Sequence, residues 1–118
     1  MSIFESNRNF VIFSYGVSHG LLLMRSRKTK LTPTRIDLLF QDVRAIEVRA
    51  WFDGIRIEEV DKQFLKGRGS NPIEMIEPGN KVYSLSSSGW NGFIVGGVFS
   101  FTEDDGEFFA PSSLLANS

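Results

Sequence analysis

Apolar and polar residues alternate with period two along most of this chain, and turn-forming residues interrupt the alternation every eight to twelve positions. That is the pattern of short strands in an antiparallel sheet rather than of helices. The densest stretch is Ile36–Val60, IDLLFQDVRAIEVRAWFDGIRIEEV. Ile36, Leu38 and Phe40 alternate with polar or outward positions, Gln41-Asp42 reads as a turn, and Val43–Phe52 forms a second run. Asp53-Gly54 then sits between two alternating runs, the signature of a two-residue hairpin turn needing positive φ at both positions. The expectation is a three-strand meander, with Phe52 opposite Ile55, Trp51 opposite Arg56, Ala50 opposite Ile57 and Arg49 opposite Glu58, and a bulge near Glu58-Glu59.

A second hairpin is expected over Asn9–Arg25, with Ser18-His19-Gly20 as its loop and Gly20 in the left-handed region. Both of its strands are apolar on both faces, as strands covered on two sides are. Ile3 and Phe4 begin an edge strand within residues 1–8. Arg25–Arg35, RSRKTKLTPTR, reads as a connection broken at Thr32-Pro33. Asp61–Gly67 predicts one helical turn stopped by Gly67, residues 68–71 a loop, and Glu77-Pro78-Gly79-Asn80 a type II turn. Val82–Leu85 is a short strand followed by a polar turn at residues 86–89. Phe93–Phe101 reads as one long strand, with Gly96-Gly97 marking a bulge or bend. Glu103-Asp104-Asp105-Gly106 closes a last hairpin onto Glu107–Ala110, and the tail from Ser112 either docks Leu114 and Leu115 or frays. The sum is one all-β domain over residues 1–118. It is a curled antiparallel sheet, a β-roll or small barrel of about eight strands, with at most one short helix.

Composition changes this picture little. The chain of 118 residues is long enough for one self-sufficient core, and its 11 Phe can fill it. With no cysteine there is no disulfide and no thiolate metal site. No signal-like start and no apolar run of membrane-spanning length is present, so the expected setting is the cytoplasm. Net charge is −1. Residues 1–56 nevertheless carry nine Lys/Arg against five Asp/Glu, and residues 57–118 four against nine. Such a split commonly supports contacts between the halves or two solvated faces.

The residues Leu38–Val48, LLFQDVRAIEV, preceded by the hairpin Phe10–Met24, resemble a pattern in bacterial pleckstrin-homology-like and GRAM-like domains. The resemblance covers the first half and implies a curled antiparallel sheet. The second half departs from it, because those domains close with a C-terminal amphipathic helix and this chain ends in Phe93–Phe101, an acidic turn and a Pro-broken tail. Members bind phosphoinositides, peptides or no known ligand, so the resemblance says little about function.

Chemistry is sparse. The single histidine, His19, lies at a hairpin tip with no nucleophile motif around Ser18. Glu58-Glu59-Asp61 and Glu103-Asp104-Asp105-Glu107 lack the spacing of a calcium loop, and the glycines at 89, 92, 96 and 97 lack the Lys-Ser/Thr of a phosphate loop. No catalytic residue, metal ligand or cofactor site is assigned. Two surface features carry what binding signal there is. Arg25, Arg27, Lys28, Lys30 and Arg35 form a basic cluster that reads first as a solvated loop, next as a contact for an acidic protein and last as one for anionic lipid or phosphate, while the slightly acidic whole and the missing aromatics argue against nucleic acid. Trp51, between Arg49 and Arg56 on the outer face, has the composition of a binding anchor. Trp90 is expected to plug one end of the barrel.

The functional expectation is a non-catalytic interaction protein with another protein as partner, adaptor-like or immunity-like. The alternatives are an anionic-lipid or phosphate-binding pleckstrin-homology-like module, and an enzyme of unrecognised type. Edge strands Ser2–Glu5 or Glu107–Ala110 offer a route to a homo-oligomer.

Overall fold

The computed structural model describes residues 2–68 and 72–115, with Pro72 and Met75 described for the backbone alone. Eight antiparallel strands form one sheet: β1 Ser2–Gly16, β2 Leu21–Ser26, β3 Arg35–Phe40, β4 Ala45–Glu47, β5 Trp51–Val60, β6 Lys81–Ser87, β7 Trp90–Gly96 and β8 Phe99–Asp104. Two 3-10 turns, Lys62–Leu65 and Pro72–Met75, lie between β5 and β6. The all-β curled sheet is as expected. Part of the loop expected over residues 68–71 and the end of the tail fall outside the described residues.

The strand order is β4-β7-β6-β5-β1-β2-β3-β8. β7 and β8 are thus six inter-strand steps apart, about 29 Å in a flat sheet. Only Gly97 and Val98 connect them, and three peptide steps reach at most about 11 Å. The sheet must therefore curl until its two ends meet, although edge strands β4 and β8 are not joined by a ladder. Gln41 fastens the seam: its amide donates to the Val98 carbonyl at 2.9 Å and its carbonyl accepts from Gly97 at 2.8 Å.

The strand β1 makes the curl possible. Its first part pairs with β5 and its last part with β2. Three irregularities, at Ser2/Phe4, Ser6/Asn9 and Ile12/Ser14, each put one more residue on β1 than on its partner. Bulges of this kind bend a strand and increase its twist.

Asp53-Gly54 is not a turn. Both residues lie inside β5, where Gly54 has φ 80° and Asp53 stays in the ordinary region. Gly54 faces the two-residue bulge at Asn7 and Arg8, so its positive φ serves strand pairing instead of chain reversal. Phe52 pairs with Phe10 and Trp51 with Val11, not with Ile55 and Arg56. Phe52 and Ile55 are still both buried. The meander is also overturned, because β3, β4 and β5 are consecutive in sequence and none pairs with another. β3 lies between β2 and β8, β4 at the opposite edge against β7, and β5 between β1 and β6.

Two turns are as expected, whereas β5 has no bulge at Glu58-Glu59, because residues 56–60 pair with β6 in unbroken register and the extra residue lies on β1. The β1–β2 loop turns through residues 17–20 with Gly20 at φ 57°, and Asn80 donates to the Glu77 carbonyl at 2.9 Å across a turn with Gly79 at φ 90°. The expected long strand Phe93–Phe101 is instead β7 and β8, broken at its glycines. The expected strand Glu107–Ala110 is absent, and the chain from residue 105 to 115 turns back irregularly over the sheet.

The main core lies inside the curl, with Phe10, Phe40, Phe52, Leu38, Ile57 and Leu85 fully buried. Trp90 packs against it, 5.4 Å between ring centres from Phe52. A second cluster, Leu65, Val82, Phe93 and Val95, forms where the 3-10 turns cover the outer face of β6 and β7.

Candidate functional site

The basic residues divide by strand phase. Arg25 on β2 is directly opposite Asp37 on β3, and Arg35 on β3 is directly opposite Asp104 on β8. Arg25 Nε and Nη2 donate to Asp37 Oδ1 and Oδ2 at 2.7 and 3.0 Å, and both side chains are fully buried. Arg35 makes the same fork on Asp104 at 2.9 and 3.0 Å. Their remaining N–H groups donate to the returning C-terminal segment. Arg25 reaches the carbonyls of Phe108 and Ala110, and Arg35 those of Glu107, Ala110 and Pro111. This hydrogen bond from Arg35 holds the Asp104 carboxyl below the usual aspartate range, and Asp104 in turn holds Arg35 more firmly protonated. Arg25 and Arg35 are therefore a structural clamp and not part of an exposed basic loop. Planar, bidentate guanidinium forks suit such a role, since each saturates a carboxylate and has donors left over.

Arg27, Lys28 and Lys30 remain on or near the surface. Lys28 pairs with Glu107 at 2.8 Å, again linking the basic half to the acidic half. Arg27 lies over the Phe108 ring, 4.4 Å from its centre. Lys30 is exposed, next to Leu31 at the loop tip.

Trp51 is 58% exposed, as a binding anchor must be. Arg49 sits between Trp51 and Trp90, 5.9 and 5.8 Å from their ring centres. Arg56 does not touch Trp51 by the expected pairing and instead meets Glu58 at 3.4 Å on its own strand. The trio is thus present on the surface but does not converge as one site.

His19 is exposed on the β1–β2 loop. Both acidic groups are largely engaged by cations: Glu59 by Lys81, Glu103 by Arg8, Asp104 by Arg35 and Glu107 by Lys28. Among the described residues no group of three His, Asp or Glu side chains could hold a metal ion. Likewise no helix is long and apolar enough to cross a membrane.

Sequence reading misses an apolar surface groove at the free edge of β8. Ile3, Val98 and Phe101 are 36%, 60% and 53% exposed and line one groove of about 400 Å³. Tyr83 and Phe99 also line it, with Glu59 and Lys81 on its rim. Phe101 leans on Phe4 at 5.0 Å and Phe99 on Phe40 at 4.8 Å, so the aromatic wall is anchored in the core. The Tyr83 hydroxyl donates to the Gly97 carbonyl at 2.5 Å, and burial, with Glu59 nearby, pushes its phenol above the ordinary value. β8 pairs only with β3 among the described residues, leaving its other backbone edge open. The one available sequence signal is the Gly96-Gly97 break, which takes Val98 and Phe101 out of the continuous strand.

Comparison with known proteins adds no assignment: the chain matches no protein-family model, no curated protein and no solved structure.

Proposed function

We propose that this chain is a small binding protein acting by association, in an adaptor-like or immunity-like role, and that it takes an extended segment of a protein partner along β8. The supporting observation is an open backbone edge beside anchored, exposed apolar side chains at Ile3, Val98 and Phe101. An unpaired strand edge selects an extended occupant, because main-chain hydrogen bonds continue the ladder while alternate side chains enter the groove. Phe101 supplies the aromatic contact on which such interfaces concentrate their energy. A six-residue edge and three side chains fall short of the roughly 800 Å² per partner that a stable dimer buries. A peptide-like segment is therefore the better fit than a second copy.

Capture from the native cell with the chain and with Phe101→Lys identifies proteins lost on the variant, and the contacting segment is then titrated as a purified peptide. Tenfold or greater weakening is expected from Phe101→Lys and from Phe101→Pro, which removes an amide on the side of β8 away from β3. Equal binding by both variants overturns the reading, and a concentration-dependent dimer abolished by Phe101→Lys reassigns the edge to a second copy.

A second reading, an anionic lipid surface, is supported by Leu31, 95% exposed beside Arg27, Lys28 and Lys30, and by Phe109, 84% exposed. Sedimentation with anionic vesicles tests it. The reading requires binding that weakens with salt and with Leu31→Glu.

A further inference from the structure

A second groove, distinct from the β8 edge, opens where the end of β2 and the loop after it pass beside β1. It has a volume of about 380 Å³, within the range of small-molecule sites. Three arginines are among its lining residues, Arg8, Arg25 and Arg27, and no acidic residue is. Their charges are compensated to different degrees. Arg25 is neutralised by Asp37 behind it. Arg8 is held mainly by neutral oxygens, those of Ser26 Oγ at 3.2 Å, Thr34 Oγ1 at 2.9 Å and the carbonyls of Arg27 and Thr34, with the Glu103 carboxylate farther off at 3.7 Å. Arg27 has no carboxylate within ion-pairing distance among the described residues.

Arg27 is nevertheless positioned. Its guanidinium lies over the Phe108 ring, which is itself packed edge-on against Phe13 at 5.3 Å, and Phe108 is tied to the clamp through its carbonyl on Arg25. Stacking occupies the face of the guanidinium and leaves its N–H edge available for a planar anion. Val11 and the Phe108 ring provide apolar wall, and the hydroxyls of Thr29 and Thr32, 2.6 Å apart, lie at the loop side.

We propose that this groove binds a small organic carboxylate, its head group accepting two hydrogen bonds from Arg27 and its compact apolar body lying against Val11 and Phe108. One cation without a carboxylate partner matches a monoanion better than a phosphate dianion. The volume admits roughly a dozen non-hydrogen atoms at the ~30 Å³ that a water occupies in the liquid, the size of an aromatic or short aliphatic acid.

Nitrogen-15 amide spectra of the full chain are recorded during titration with benzoate, and separately with inorganic phosphate. Benzoate is expected to give saturable shifts at Ser26, Arg27, Thr29 and Thr32 in the millimolar range. Arg27→Gln should weaken them about tenfold or more, as loss of a charge-assisted bidentate contact does. Because Arg27 is exposed, that variant should melt as the wild type does, and Arg27→Lys, which keeps the charge but not the fork, should fall between the two. Absence of saturable shifts with benzoate, or shifts unchanged in Arg27→Gln, overturns the site. Phosphate binding as tightly as benzoate overturns the carboxylate class.

Discussion

Removing the carboxylate of Asp37 leaves Arg25 charged, fully buried and short of its only bidentate partner. Breaking a buried ion pair from one side costs about 3–5 kcal/mol, much more than the intact pair is worth relative to an apolar pair. A domain of this size holds on the order of 5–15 kcal/mol in total, so Asp37→Ala removes a large share. At roughly 3–6 °C per kcal/mol for a chain of this length, the melting temperature should fall on the order of 10–25 °C. Urea titration at neutral pH measures the loss, and an unchanged slope certifies that stability and not compactness has shifted. The double variant Arg25→Met/Asp37→Leu should lose less than Asp37→Ala, since it leaves no buried charge without an ionic partner. It should still loosen the segment after β8, because the Phe108 carbonyl loses its donor and the Ala110 carbonyl keeps only the one from Arg35. Limited proteolysis would then cut within residues 105–111 in the double variant but not in the wild type. A loss below about 1 kcal/mol for Asp37→Ala, with that segment still protected, would refute the clamp.

Other consequences are as direct. The Asp104 carboxyl is depressed in the fold, chiefly by the Arg35 hydrogen bond, with the Gly106 amide and Ser113 hydroxyl adding to it. Its stabilisation is therefore present above the unfolded aspartate value of ~3.9 and is lost as pH falls through the lower folded value. Stability curves of wild type and Asp104→Asn should converge in that acid range, and parallel curves would contradict the assignment. At Gly92 an added Cβ would lie 2.0 Å from the Glu47 carbonyl oxygen. Gly92→Ala should cost about 1–3 kcal/mol by strain and speed amide exchange at residues 45–47, where β4 must separate from β7. At Gly20 the φ of 57° combines with a Cβ position 2.7 Å from the Val43 amide nitrogen. Gly20→Ala should therefore weaken the junction at which Val43 donates to the Gly20 carbonyl, read as a lower melting temperature.

Local chemistry was legible in the sequence and long-range pairing was not. Gly20 and Gly79 sit at turns whose geometry depends on a few adjacent residues, and both are where the pattern places them. Asp53-Gly54 shows the limit: positive φ at a glycine serves a hairpin or a bulge equally. Which one forms depends here on an extra residue at Asn7-Arg8, almost fifty positions away. The order of Ile36–Val60 fails for the same reason, since adjacent runs need not pair when a sheet curls and short connections can cross its seam. The basic cluster was misplaced because proximity in sequence hides strand phase. Arg25 and Arg35 lie on paired strands with acids directly opposite, Asp37 buried and Asp104 half-buried, whereas Arg27, Lys28 and Lys30 lie beyond the strand end. The sequence holds one clue: Asp37 is the single polar residue among Ile36, Leu38, Leu39 and Phe40, and a buried carboxylate requires a cation. The opposed charges of the two halves do meet within the chain, through Arg35–Asp104, Arg8–Glu103 and Lys28–Glu107.

Amide hydrogen exchange along β8, measured on the chain alone and with the purified partner segment bound, tests the proposed association most directly. Strand addition predicts slowed exchange confined to alternate amides of residues 99–104, the outward set, and no such protection in Phe101→Lys. Protection concentrated around Trp51 or the loop 27–34, with β8 exchanging as fast as before, would contradict it.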